Sequence, residues 1–283
     1  MQVIIDDAGD VPADLAEELD IRIIPINIIF GQEEFLSGVT MDHKAFYEKV
    51  VTVDDHNFPK TSQPTPYQFE EVYRELIGEG KDEFLAVTVS EKLSGTYDSA
   101  VAAARALEGQ ATFHVFDSKS GSAAQGLMAV EAARMAQAGE SYEAIDARLC
   151  EMRNSQSIYF LIDSLDFAVR GGRVGLLRST MASLLNIKPI MKVEDGLIVE
   201  GGKVRTYKKA VAFIVDAVRN DVGDRPVKMA AIHSNDEEAG QALLEKARAA
   251  LNCTESFLVD MSISVAINLG PGALGLIAIP EAA

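Results

Sequence analysis

The sequence predicts an α/β protein built from two α/β domains, an N-terminal open sheet with helices on both faces and a C-terminal mixed-sheet domain. Three observations carry this. Apolar β-rich runs alternate with helical patterns through the first half, the pattern of a largely parallel sheet covered by helices. The rhythm changes near residue 155, where strands begin to follow one another directly. The length, 283 residues, suits two domains of ordinary size, placed here at 1–155 and 156–283.

In chain order, "VII" at 3–5, "IRIIPINIIF" at 21–30, "FLAVTV" at 84–89 and "TFHVF" at 112–116 read as buried strands. "TYDSAVAAARAL" and "GLMAVEAARMAQAG" read as the helices between them. Thr65 precedes Pro66 and stands three residues before Gln68, which is capping-box spacing with proline at the first helical position. Phe69, Val72, Tyr73 and Leu76 then recur at i, i+3, i+4 and i+7, the apolar face of that helix. In the second half "SIYFLID" predicts a strand, "RGGRVG" a break and "LLRSTMASLLN" a helix. "IKPIMKVEDGLIVEGGKV" reads as two strands joined at Asp195-Gly196, a hairpin signal. Helix, strand, helix and strand follow in "KKAVAFIVDAVRN", "VKMAAIHS", "DEEAGQALLEKARAAL" and "SFLVD". Residues 261–280 carry no charge and could span a bilayer by length, but Asn268 and Gly270-Pro271-Gly272 interrupt them. A buried helix, a turn and a core strand are expected there, with no stable membrane insertion.

A net charge of -17 argues against nucleic acid as a partner and against docking on an anionic membrane. Cys150 and Cys253, far apart and without CxxC spacing, support neither a disulfide scaffold nor a zinc site; no metal is expected and a reducing cytoplasm is the natural compartment. The N-terminus reads as a strand, not a signal peptide. No P-loop, dinucleotide fingerprint or nucleophile elbow occurs, and the four histidines are scattered, so no catalytic residue is assigned.

What remains is a set of hydroxyl-rich loops. In "KTSQPTPYQFEE", helix punctuation accounts for Thr65, Pro66 and Gln68 but not for Thr61, Ser62 and Gln63. "EKLSGTYDSA" places Ser94, Gly95 and Thr96 between a strand and a helix. Ser94 or Thr96 caps that helix, or the hydroxyls and free helix N–H groups hold an anion, and the two readings are compatible. "DSKSGSAAQG" repeats the strand–turn–helix pattern, with Asp117 and Ser118 as structural residues. Arg173, after two glycines, could clamp a carboxylate or phosphate, or pair with a surface acid. These residues suit the binding of a small anion better than catalysis.

The motifs "KTSQPTP", "LSGTYDSA", "RGGRVG", "LNIKPIM…DG", "KVRTYKKA" and "LGPGALGL", in this order and spacing, resemble the DegV family of bacterial fatty-acid-binding proteins across essentially the whole chain. The resemblance implies a long-chain fatty acid, palmitate- or oleate-like, between two α/β domains, with no other cofactor. It also implies an acyl-carrier role in phospholipid metabolism, in which the acid is presented to a separate ATP-dependent fatty acid kinase subunit. By motif, the carboxylate-binding hydroxyls fall on Thr61 or Ser62 and on Ser94, with Gly95 and Thr96 flanking. Arg173 and Arg205 match basic positions near the head group or at a partner surface. Two departures stand out. Asn268 occupies the place of a family histidine that joins the head-group network, and Asp6-Asp7-Ala8 replaces Asp-Ser-Thr. Two other readings stay open: a hydrolase or acyltransferase with Ser94 as nucleophile, and a carrier of another amphiphilic acid.

Overall fold

The computed structural model describes residues 1–54, 56–174 and 187–282. The chain forms two compact units, Met1–Arg153 with Ser262–Ser264, and Asn154–Met261 with Val265–Ala283.

The first unit is built on a four-stranded parallel sheet of order β2-β1-β6-β7, with β1 at Gln2–Asp6, β2 at Arg22–Ile24, β6 at Glu83–Thr88 and β7 at Thr112–Asp117. All five residues of β1 are buried, as expected for a strand covered on both faces. Helices α3 (Pro66–Gly78) and α4 (Thr96–Ala106) pack on one face, where Tyr73 meets Phe84 and Phe113 in a cluster with Ile4, Phe69 and Leu76. Helix α5 (Ser122–Gln137) packs against β1 and β6. Two short helices, α1 (Ala13–Glu18) and α2 (His43–Val50), and α6 (Tyr142–Ser155) complete this part of the chain.

The run 21–30, read as one strand, is two strands in two sheets. Pro25 has no N–H to give a ladder, so the chain leaves the parallel sheet after β2. It resumes as β3 (Asn27–Phe30), the centre of a three-stranded antiparallel sheet with β4 (Glu33–Leu36) and β5 (Lys60–Ser62). This small sheet carries Thr61 and Ser62.

The second unit holds a six-stranded mixed sheet of order β10-β9-β8-β13-β11-β12. Its strands are β8 (Ser157–Leu161), β9 (Lys188–Glu194), β10 (Leu197–Val204), β11 (Val227–His233), β12 (Cys253–Asp260) and β13 (Leu274–Pro280). The β9–β10 turn is Asp195-Gly196, both at positive φ, 47° and 81°, which this type of two-residue hairpin turn requires. Helix α7 spans Leu165–Gly171, and α8 (Tyr207–Val222) and α9 (Glu237–Ala250) cover one face of the sheet. The uncharged stretch 261–280 resolves into α10 (Ile263–Leu269), a turn and the fully buried β13. Among the described residues no helix is long and apolar enough to cross a membrane. The helix expected at 176–186 lies outside the described residues.

Candidate functional site

The KTSQP segment is fixed along its length. Thr61 and Ser62 stand in register with Ile28 and Asn27 of β3. Asn27 Nδ2 donates to the Gln63 carbonyl at 3.1 Å, and its Oδ1 accepts from Gln68 Nε2 at 3.2 Å. Pro64 is buried. The capping box predicted at α3 is present: the Gln68 N–H donates to Thr65 Oγ1 at 3.3 Å and the Thr65 N–H to Gln68 Oε1 at 2.8 Å. Every helix-starting residue is therefore occupied, while Thr61 is half-buried and Ser62 is exposed, its hydroxyl having among the described residues only the neighbouring Gln63 carbonyl, 3.5 Å away, as partner.

The LSGT segment follows β6. The Leu93 and Ser94 N–H groups both donate to the Ser90 carbonyl, which folds the loop back before α4 begins. Neither Ser94 nor Thr96 caps that helix. The N-cap position is Gly95, without a side-chain hydrogen bond, and the two hydroxyls pair with each other at 2.9 Å. Thr96 is fully buried and Ser94 partly so. The uncapped first turn leaves N–H donors and the positive end of the helix dipole beside the Ser94 hydroxyl.

These two loops meet. A Cβ on Gly95 would lie 2.4 Å from Gln63 Nε2 and 2.9 Å from its Cδ, so the Gln63 amide lies over Gly95 and a side chain there would displace it. Residues some thirty positions apart in the chain thus come together, the Gln63 end of one segment against the Gly95 start of α4.

The last residue of β1 and the turn after it carry three acids, Asp6, Asp7 and Asp10. Asp6 accepts from the Val89 N–H (2.8 Å), Gln125 Nε2 (2.9 Å) and the Ala8 N–H (3.1 Å); burial nonetheless pushes it up to about 6. Asp10 accepts from Ser122 Oγ at 2.5 Å and the Ser262 N–H at 2.8 Å, and burial raises it to about 7. Burial also raises Asp7, opposed by the hydroxyls of Ser37 and Ser264 and by His43. A carboxyl that holds its proton more readily is a weaker opponent of a nearby anion than an ordinary aspartate. Asp117 and Ser118 are structural, as expected: Asp117 Oδ1 accepts from the Glu91 and Lys119 N–H groups, and Ser118 is sealed against Ser120.

In the second unit, Arg173 and Asn268 come together. Arg173 Nη1 donates to the Gly171 carbonyl at 2.9 Å and to Asn268 Oδ1 at 3.5 Å. A Cβ on Gly171 would fall 2.8 Å from Asn268 Oδ1 and 2.9 Å from its Cα, so the close approach of α7 to α10 depends on that glycine. With Oδ1 turned to Arg173, the amide's Nδ2 is the end that points its donors elsewhere. Arg205 is exposed, just before the Thr206 cap of α8. Gln63 stands in the sequence only as a polar residue that helix punctuation leaves over; its contact with Gly95, invisible along the chain, singles it out. Among the described residues no group of three or more His, Cys, Asp or Glu is placed to hold a metal ion.

A family model described as uncharacterised proteins of the DegV family matches residues 1–281. The chain belongs to the DegV family. A DegV domain-containing protein of Listeria monocytogenes is 34% identical over 275 residues, covering 97% of this chain and 96% of that protein. Among solved structures, a fatty-acid-binding DegV protein of Thermus thermophilus superposes with a TM-score of 0.92 at 30% identity, over 99% of both chains. A stearic-acid-binding protein of Eubacterium ventriosum does so at 0.90 and 27% identity, over 99% of this chain and 98% of its own. The DegV fold and the family resemblance read from the motifs are thereby established for this chain.

Proposed function

We propose that this chain binds a long-chain fatty acid and holds its carboxylate on the hydroxyls of Thr61, Ser62 and Ser94, beside Gly95 and Thr96 at the start of α4. The observation that carries this is the meeting of the two hydroxyl loops, whose donors are not consumed by helix capping. A desolvated carboxylate needs such donors, and the charge-assisted bonds they form are the stronger kind. The acyl chain adds ~0.8 kcal/mol for each CH₂ it buries. DegV proteins of known structure that bind fatty acids support the ligand class. Asn268 is a further head-group donor by its match to the family motif, with Arg173 and Arg205 as head-group or partner contacts. Each is tested by an alanine variant in the same titration.

In this reading the chain is a carrier without catalytic activity, and it hands the acid to a separate ATP-dependent kinase subunit. Ser94 as a nucleophile is disfavoured by its hydrogen-bond partner, the Thr96 hydroxyl, which cannot act as its general base. The test is calorimetric titration of the delipidated chain with oleate and palmitate, together with an esterase assay. One-to-one binding without ester hydrolysis is expected. Hydrolysis that disappears in Ser94→Ala would overturn the carrier reading.

A further inference from the structure

We infer that Gln63 is a specificity-determining residue of the proposed fatty-acid site: its side-chain amide donates to an ionised head group, and Gly95 is glycine to make room for it. The inference rests on the reading that this site takes a fatty acid. The whole amide lies over Gly95, with Nε2, Cδ and Oε1 at 2.4, 2.9 and 3.2 Å from a Cβ built there, and the nitrogen is nearest. The backbone of Gln63 is held by Asn27 Nδ2 at 3.1 Å, so its side chain starts from a fixed point.

The neighbouring amides have other tasks. Asn27 and Gln68 bond to each other and to the backbone of this loop, and Gln68 also completes the capping box. The Gln63 side chain alone of the three has no hydrogen-bond partner among the described residues, and it is exposed beside Gly95. Its nitrogen can only donate. Placed over Gly95 at the start of α4, next in the chain to Ser94, it favours an ionised acid over a neutral head group of the same chain length. An alcohol or methyl ester offers no charge to strengthen that bond.

The experiment measures binding of oleate and of oleyl alcohol to the delipidated full chain, as wild type, Q63A, Q63E, G95A and the Q63A/G95A double variant. Q63A should weaken oleate about tenfold or more, the factor for losing a hydrogen bond to a charged group, while leaving oleyl alcohol within twofold. Q63E should weaken oleate further, by repulsion. G95A should reproduce the loss of Q63A by displacing the amide, and the double variant should be no worse than either single one. Thermal melting of each variant separates loss of fold from loss of the donor. If Q63A binds oleate as wild type does, or loses oleate and oleyl alcohol equally, Gln63 merely packs and the inference is wrong. A wild-type chain that binds neither ligand sinks the fatty-acid reading itself, and the role of Gln63 with it.

Discussion

Ser94 exemplifies a residue whose role changes once its neighbours are known. Along the chain it stands where a cap would stand, but in the structure glycine holds the cap position and the Ser94 hydroxyl faces Thr96. Ser94→Ala should lower oleate affinity by ~1.5–3 kcal/mol, the worth of a hydrogen bond to a charged group, and lower the melting temperature by a few degrees, since the buried Thr96 hydroxyl loses its partner. Calorimetry is the suitable readout, since the chain has no tryptophan. Asp10 makes a prediction of a different kind. Its folded-state pKa, about 7, lies above the ordinary value, so the folded protein binds this proton more tightly than the unfolded chain. The resulting stabilisation is complete below about pH 4 and is lost as pH rises through about 7. Between pH 5.5 and 8 the wild type should lose roughly 2 kcal/mol that Asp10→Asn does not lose, read from denaturant titrations at each pH. Equal slopes in the two proteins would contradict the buried, proton-holding Asp10.

At the scale of elements, local chemistry was legible wherever a turn or cap follows from neighbouring residues. The Thr65-Pro66-Gln68 start of α3 and the Asp195-Gly196 hairpin need only their own side chains and backbone, and both occur as read. Thr65→Ala should cost about 1 kcal/mol, the usual worth of an N-cap. If Thr65 also steadies the Ser62–Gln63 segment beside it, oleate binding falls in the same variant. Stability lost without any loss of binding would limit its role to α3. What the chain did not disclose is where partners are distant. The run 21–30 looks continuous because Pro25 is flanked by isoleucines, yet its two halves pair with different strands. Strands β4 and β5 are too short, and too polar at their ends, to announce themselves. The candidate site was legible as residue types, Thr61, Ser62 and Ser94, since the helix start at Thr65 uses neither Thr61 nor Ser62 and a hydroxyl at the start of a helix suits an anion as well as a cap. The Gln63–Gly95 contact and the burial of Asp6, Asp7 and Asp10 were not legible, because burial and through-space approach leave no periodic trace.

For the whole molecule, the question is how a protein of net charge -17 would accommodate the proposed anion. Long-range repulsion is screened beyond about 8–10 Å at ordinary ionic strength, so donors in contact with the carboxylate outweigh the distant field. Burial also favours the protonated, neutral form of Asp6, Asp7 and Asp10, which lowers the local negative charge. In the proposed reading the acyl chain, not the head group, supplies most of the affinity, so that a carrier needs no catalytic grouping. The most direct test of this account is native mass spectrometry of the freshly purified chain, followed by organic extraction and identification of what is released. The account predicts a stoichiometric adduct of fatty-acid mass, restored by adding oleate or palmitate to the delipidated protein and weakened in Ser94→Ala. A chain that emerges empty and takes up neither acid would contradict it.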